Sequence, residues 1–132
     1  MLVIMVIGNG IDIVEIEHLK RALDKWGNKL VKRIFTKREI GYSLNRRSSV
    51  EHLAVRFAAK EAVLKAFGNS KIRAINLRDI EILNDRNGKP EVNLSNSAKK
   101  LSTSSGIDKI IISLSHTRKF ALASAILTNE KL

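Results

Sequence analysis

Within the run Arg56-Phe57-Ala58-Ala59-Lys60-Glu61-Ala62-Val63-Leu64-Lys65-Ala66-Phe67-Gly68, four charged side chains sit among residues that favour burial. Wound as a helix, the stretch is apolar almost all round, and a helix without a polar face is normally interior. An isolated charge there is too costly, so Arg56, Lys60, Glu61 and Lys65 must be paired, metal-bound or matched to a ligand. Glu61 and Lys65 project together at i,i+4, and Arg56 and Lys60 form a second such pair on another face. Exposed pairs at that spacing contribute only about 0.2–0.5 kcal/mol. Burial among Leu53, Phe57, Ala58, Ala62 and Leu64 is what makes these pairs candidates for chemistry.

Two further residues stand out by position. Asp12 follows Gly8-Asn9-Gly10 and interrupts the apolar residues Ile11, Ile13 and Val14. An acid in a β-prone run must face water or a cation, so an edge or turn aspartate is the plain alternative to a ligand. Should Asp12 and Glu61 meet, two carboxylates with phosphate oxygens and waters would suit Mg²⁺. His116 ends the run Ser113-Leu114-Ser115 and precedes Thr117, Arg118 and Lys119, where contact with a phosphate is plausible.

These residues are carried by elements readable from pattern. Residues 2–7 read as a buried first strand, with a second extended segment at 11–14 beyond the glycines. From Glu15 to about Lys32, Ile16, Leu19, Leu23, Trp26 and Leu30 recur at helical spacing. The other side of that helix is basic, with Lys20, Arg21, Lys25, Lys29, Lys32 and Arg33. Thr36 and Glu39 have capping-box spacing and predict a short helix; Ser48 and Glu51 repeat the box and start the apolar helix, which Gly68 stops. Residues 79–83 and 91–94 read as strands joined by the turn Asp85-Arg86-Asn87-Gly88-Lys89-Pro90. A polar helix over 95–104 and two strands, 109–114 and 120–127, complete one α+β domain spanning 1–132.

The chain has 132 residues, enough for one core, and ordinary apolar content of 44%. It has no cysteine, which excludes disulfides and thiolate metal sites and fits a cytoplasmic setting. The apolar run 2–7 is too short to span a membrane and lacks a signal-peptide pattern, so no membrane partner is expected. Lys and Arg outnumber Asp and Glu by 24 to 13, a net +11 that favours an anionic partner.

Four blocks resemble the small phosphopantetheinyl transferases of the holo-acyl-carrier-protein synthase family: GNGIDIVE at 8–15, RFAAKEAVLKAFG at 56–68, DRNGKP at 85–90 and SLSHT at 113–117. Their order and spacing cover nearly the whole chain, and the second block is the most specific. The resemblance implies a phosphopantetheinyl transferase fold, an antiparallel sheet packed with a long buried helix. It implies Mg²⁺-dependent transfer of 4′-phosphopantetheine from coenzyme A to a serine of acyl carrier protein, in support of fatty acid synthesis.

By the family pattern Asp12 and Glu61 hold the metal, and Glu61 and Lys65 are the catalytic pair. Arg56, Lys60 and His116 contact phosphates, with Gly88, Lys89 and Pro90 near the nucleotide. The basic helix 15–33 would dock the acidic carrier, and a homotrimer would place its sites at subunit contacts, Asp12 and Glu61 being supplied across or near them. Three positions depart from the pattern: Asn9 between the glycines, His18 on the docking helix, and Ser70. A basic nucleic-acid-binding domain is the rival from another class. Few aromatics and charges set on an apolar helix argue against it. The broad-specificity members of the superfamily are about twice this length, which argues against that second rival.

Overall fold

The computed structural model describes residues 1–44, 49–68 and 75–131, so the expected break at 45–48, the Ser48 cap and Ser70 lie outside the described residues. The elements run β1 (Val3–Glu15), α1 (Ile16–Trp26), α2 (Asn28–Ile34), α3 (Lys37–Leu44), α4 (Ser49–Phe67), β2 (Ile80–Asn84), β3 (Pro90–Leu94), α5 (Asn96–Ser104), β4 (Lys109–His116) and β5 (Phe120–Lys131). A short 3-10 turn, Leu77–Asp79, leads into β2. The strands make two antiparallel sheets, β1-β5-β4 and β2-β3. No described helix is long and apolar enough to cross a membrane.

Side-chain alternation gives the larger sheet two unlike faces. One face lies under α4, where Ala121, Ala123 and Ala125 of β5 meet Ala58, Ala59 and Ala62, all at most 1% exposed. Small residues on both surfaces let helix and sheet backbones approach closely. The opposite face carries Ile11, Ile13, Leu122 and Ile126, each between 37% and 62% exposed.

The first strand corrects two expectations. Gly8-Asn9-Gly10 does not interrupt it: β1 runs straight through, with only a register shift between Val6 and Gly8. Nor is its beginning buried, since Val3 to Ile7 all lie at the surface. That half pairs only with the end of β5 (Val3 with Lys131, Val6 with Thr128), and both faces stay open there.

The basic helix is likewise two helices. Gly27 takes φ 59°, which a residue with a side chain rarely adopts, and its N–H caps α1 at the Leu23 carbonyl. Its own carbonyl then accepts from Leu30 and Val31 to start α2. The apolar spacing continues across this joint, so periodicity alone hides it; Trp26, at the break, is 57% exposed instead of core.

Helix α4 is enclosed as its apolar circumference demands, but Lys60 overturns its assignment as a phosphate contact. Its side chain is wholly inaccessible. The ammonium donates to Glu39 Oε1 (2.7 Å), the Leu77 carbonyl (2.9 Å) and the Ile80 carbonyl (2.7 Å), leaving no N–H for a ligand. Burial lowers the Lys60 pKa, opposed chiefly by the charge and hydrogen bond of Glu39. Glu39 also accepts from the N–H of Thr36, closing the expected capping box, and from the N–H of Ile82. One buried pair thus joins α3, α4 and β2.

At the rim of this junction, burial alone would raise Glu81. Hydrogen bonds from Thr36, Arg38 and Asn93, with the charge of Arg38, hold its carboxyl below the usual range. Lys60→Met is expected to lower unfolding free energy by about 3–5 kcal/mol, because it strands Glu39 without its partner. Urea denaturation of Lys60→Met, Glu39→Gln and the double variant should show strong non-additivity; additive losses would contradict the pairing.

Candidate active site

The approach of β1 to α4 builds the site. A Cβ on Gly10 would lie 2.0 Å from the Ala62 carbonyl oxygen, and one on Gly8 2.3 Å from that of Ala66. Only glycine lets the strand lie this close to the helix. Gly8, Gly10 and Asp12 alternate on the same face of β1, so the strand that touches α4 delivers Asp12 beside its C-terminal turns. Asn9 points the other way, so its departure from the family pattern does not alter this contact.

Lys65 Nζ donates to Asp12 Oδ1 at 2.9 Å and to the Ile11 carbonyl at 3.1 Å. Glu61, one turn earlier, lines with Asp12 a cleft of about 470 Å³. His18 and Glu15 stand at that cleft, paired at 3.6 Å, and Leu19, Leu30 and Phe57 give it an apolar wall. Burial raises the Glu61 pKa and the charge of Asp12 adds to the rise, while Lys65 partly offsets them. The expected Glu61–Lys65 pair is therefore a triad in which the lysine bonds to Asp12.

Two carboxylates against one ammonium leave a net negative charge in a partly sheltered cleft. That donor set fits Mg²⁺, which takes one or two carboxylates and retains waters. Among the described residues no three His, Cys, Asp or Glu side chains cluster, so a closed all-protein cage is not what these residues make. Both carboxylates lining this cleft come from one chain.

The remaining candidates stand elsewhere. Arg56 is 3% exposed. Its guanidinium donates to Asn84 Oδ1 (2.7 Å) and the His52 carbonyl (3.3 Å), and lies 4.2 Å from the centre of the Tyr42 ring. Gly88 and Lys89 occupy the exposed turn between β2 and β3, and Pro90 opens β3. Lys89 and Asp85 line a second cleft of about 470 Å³ against β4. His116 lies at the end of β4, its Nδ1 3.8 Å from Glu51 Oε2. Glu51 is ten residues before Glu61, about 15 Å along the helix axis.

A family model described as the 4′-phosphopantetheinyl transferase superfamily matches residues 8–125. The chain belongs to that superfamily. A holo-[acyl-carrier-protein] synthase of Protochlamydia amoebophila is 46% identical over 92% of this chain and 98% of its own. The crystal structure of the Neisseria meningitidis holo-[acyl-carrier-protein] synthase superposes with TM-score 0.86 at 34% identity, covering 93% of this chain and 98% of that one. A Bacillus anthracis holo-(acyl-carrier-protein) synthase, solved in complex with coenzyme A (3′,5′-ADP), gives 0.77 at 33% identity over 95% and 98%. The α+β phosphopantetheinyl transferase fold expected from the motifs is the fold observed.

Sequence reasoning missed the roles of three residues in this phosphopantetheinyl transferase architecture. Glu39 was legible as a cap but not as the partner of Lys60. Asn84 carried no signal at all, being one polar residue at the end of a strand. His18 was legible as a helix residue but not as part of the cleft.

Gly10→Ala is expected to cost roughly 1–3 kcal/mol or more, because the clash is with backbone that no rotamer change relieves. Gly41→Ala, where a Cβ meets nothing within 4 Å in helix α3, should be neutral or stabilising. Thermal denaturation of the two variants checks this; equal midpoints would refute the close-approach account.

Proposed function

We propose that this chain transfers 4′-phosphopantetheine from coenzyme A to the serine hydroxyl of apo acyl carrier protein, releasing adenosine 3′,5′-bisphosphate. The observation that carries the reading is that Asp12 and Glu61 line one cleft with Lys65 bonded to Asp12, in a chain of this superfamily. The serine oxygen forms a new bond to the β-phosphorus as the bond to the nucleotide phosphate breaks. Such transfers depend on positioning and on neutralising charge at the phosphates.

Lys65 is only half shielded, and its ammonium is anchored by the Ile11 carbonyl and by Asp12, which lines the cleft. It neutralises or protonates the leaving phosphate. Glu61, held above the ordinary carboxylate range, is placed to accept the serine proton. Bound between Asp12 and Glu61, Mg²⁺ would supply positive charge to the pyrophosphate oxygens.

The six cations of α1 and α2, from Lys20 to Arg33, are all exposed, and the helices that carry them give Leu19 and Leu30 to the wall of the same cleft, which supports docking of the acidic carrier there. Such a field speeds encounter and orients the partner more than it adds affinity. Gly88, Lys89 and Pro90 are assigned to the nucleotide end of coenzyme A and His116 to a phosphate. Arg56 and Lys60 act from the interior rather than as direct ligands. The reaction is assigned to the cytoplasm, in support of fatty acid synthesis.

The bare apolar face of the larger sheet is assigned to contact between copies of this chain. A homotrimer, as the family pattern implies, would cover it and bring the separated phosphate-binding groups of neighbouring copies to shared clefts.

Incubation with coenzyme A, Mg²⁺ and apo carrier should add one phosphopantetheine to the carrier by mass spectrometry; no mass increase with any divalent metal refutes the reading. Glu61→Gln should nearly abolish transfer with the fold intact. Lys25→Glu with Lys29→Glu should raise KM for the carrier and leave KM for coenzyme A within about twofold. Leu122 lies at the centre of the sheet, opposite Ile13. Light scattering should find Leu122→Asp monomeric and the parent chain trimeric; a monomeric parent would remove the assembly.

A further inference from the structure

We propose that Asn84 is a positioning residue that holds the Asp85–Lys89 turn in register with α4, so that coenzyme A meets a preset turn. This rests on the reading of Gly88 and Lys89 as the nucleotide contact.

Asn84 is the last residue of β2 and pairs with Pro90 across the hairpin. Its amide is used at both ends. The oxygen accepts from Arg56 Nη2 at 2.7 Å, and the nitrogen donates to the Gly88 carbonyl at 2.8 Å. Arg56 itself is fixed by the His52 carbonyl and the face of Tyr42. A guanidinium inside the molecule is thus linked through one side chain to the backbone of an exposed turn. The first of the two bonds is charge-assisted and is the stronger kind.

The turn is also braced internally as one piece. Asp85 Oδ1 accepts the N–H of Asn87 (2.8 Å) and of Lys89 (2.9 Å). The Gly88 N–H reaches the Asp85 carbonyl, and the Asp85 N–H reaches that of Lys89. Gly88 closes the turn at φ +80°. Internal bonds of this kind fix the shape of the turn but not its angle to the body of the protein, and residues 86–89 are all exposed. Asn84 sets that angle, because its bond ends on the Gly88 carbonyl, beside the lysine offered to the ligand. An aspartate could accept from Arg56 but could not donate to that carbonyl, whereas alanine could do neither.

The experiment uses the full chain in steady-state kinetics with Asn84→Ala, Asn84→Asp and Lys89→Ala, varying coenzyme A at saturating apo carrier and then the reverse. Loss of one net hydrogen bond predicts a rise of roughly fivefold in KM for coenzyme A in both Asn84 variants. The turnover number and KM for the carrier should stay within about twofold. Amide exchange at Asn87, Gly88 and Lys89 should accelerate in Asn84→Asp, which keeps an acceptor for Arg56, while core amides and the thermal midpoint hold.

An unchanged KM for coenzyme A in Asn84→Ala overturns the proposal. So does a loss in which turnover, both KM values and the midpoint move together, because that marks a general structural defect. Wild-type behaviour of Asn84→Asp also overturns it, since donation to Gly88 would then not matter. If Lys89→Ala leaves KM for coenzyme A unchanged, the turn does not meet the nucleotide and the underlying reading falls too. If Lys89→Ala raises it and Asn84→Ala does not, only the positioning role falls.

Discussion

Lys60 and Glu39 face each other with neither side chain reaching water, and the rest of the molecule is arranged around keeping both satisfied. The ammonium has three acceptors, and the carboxylate receives two backbone N–H groups besides the ammonium. A pair this deep gains little net stability, because desolvation of two charges opposes their attraction. What it imposes is specificity: any shift of α3 or β2 against α4 would leave a buried charge without its partner. It also disposes of the neighbouring residue. Since Lys60 points inward, the 100° advance to Glu61 turns that carboxylate toward the cleft beside β1.

The cleft depends on small residues as much as on charged ones. Glycines at 8 and 10 let β1 lie on the backbone of α4, and the alanines of α4 and β5 continue the close contact across the sheet. Asp12 sits where this contact ends, sheltered enough to hold Lys65 and to raise Glu61. A bulkier strand would keep the same ionisable residues but separate them, and electrostatic coupling falls as distance and hydration grow.

Charge and apolar surface divide the exterior between two uses. The cations of α1 and α2 are exposed on helices that also wall the cleft, whereas the open face of the larger sheet is almost free of charge. Gly27 matters here because it bends the basic segment into two helices and lets Leu19 and Leu30 wall the same cleft.

Local pattern in the chain established the kinds of elements, the capping box at Thr36 and the turn at 85–90, and its motifs marked Asp12, Glu61 and Lys65 as one candidate set. It also showed that the charges of α4 needed partners. Tertiary structure alone decided which partners: Glu39, 21 residues from Lys60, and Asp12, 53 residues from Lys65. It decided as well that β1 continues through its glycines and opens to the surface, that the basic helix breaks at Gly27, and that Asn84 joins Arg56 to the turn. The physical reason is that local pattern reports whether a side chain is removed from water, which one strand or helix can encode. What meets a buried charge depends on which distant backbones can approach it, and that is set only when glycine, alanine and the ion pair are packed together.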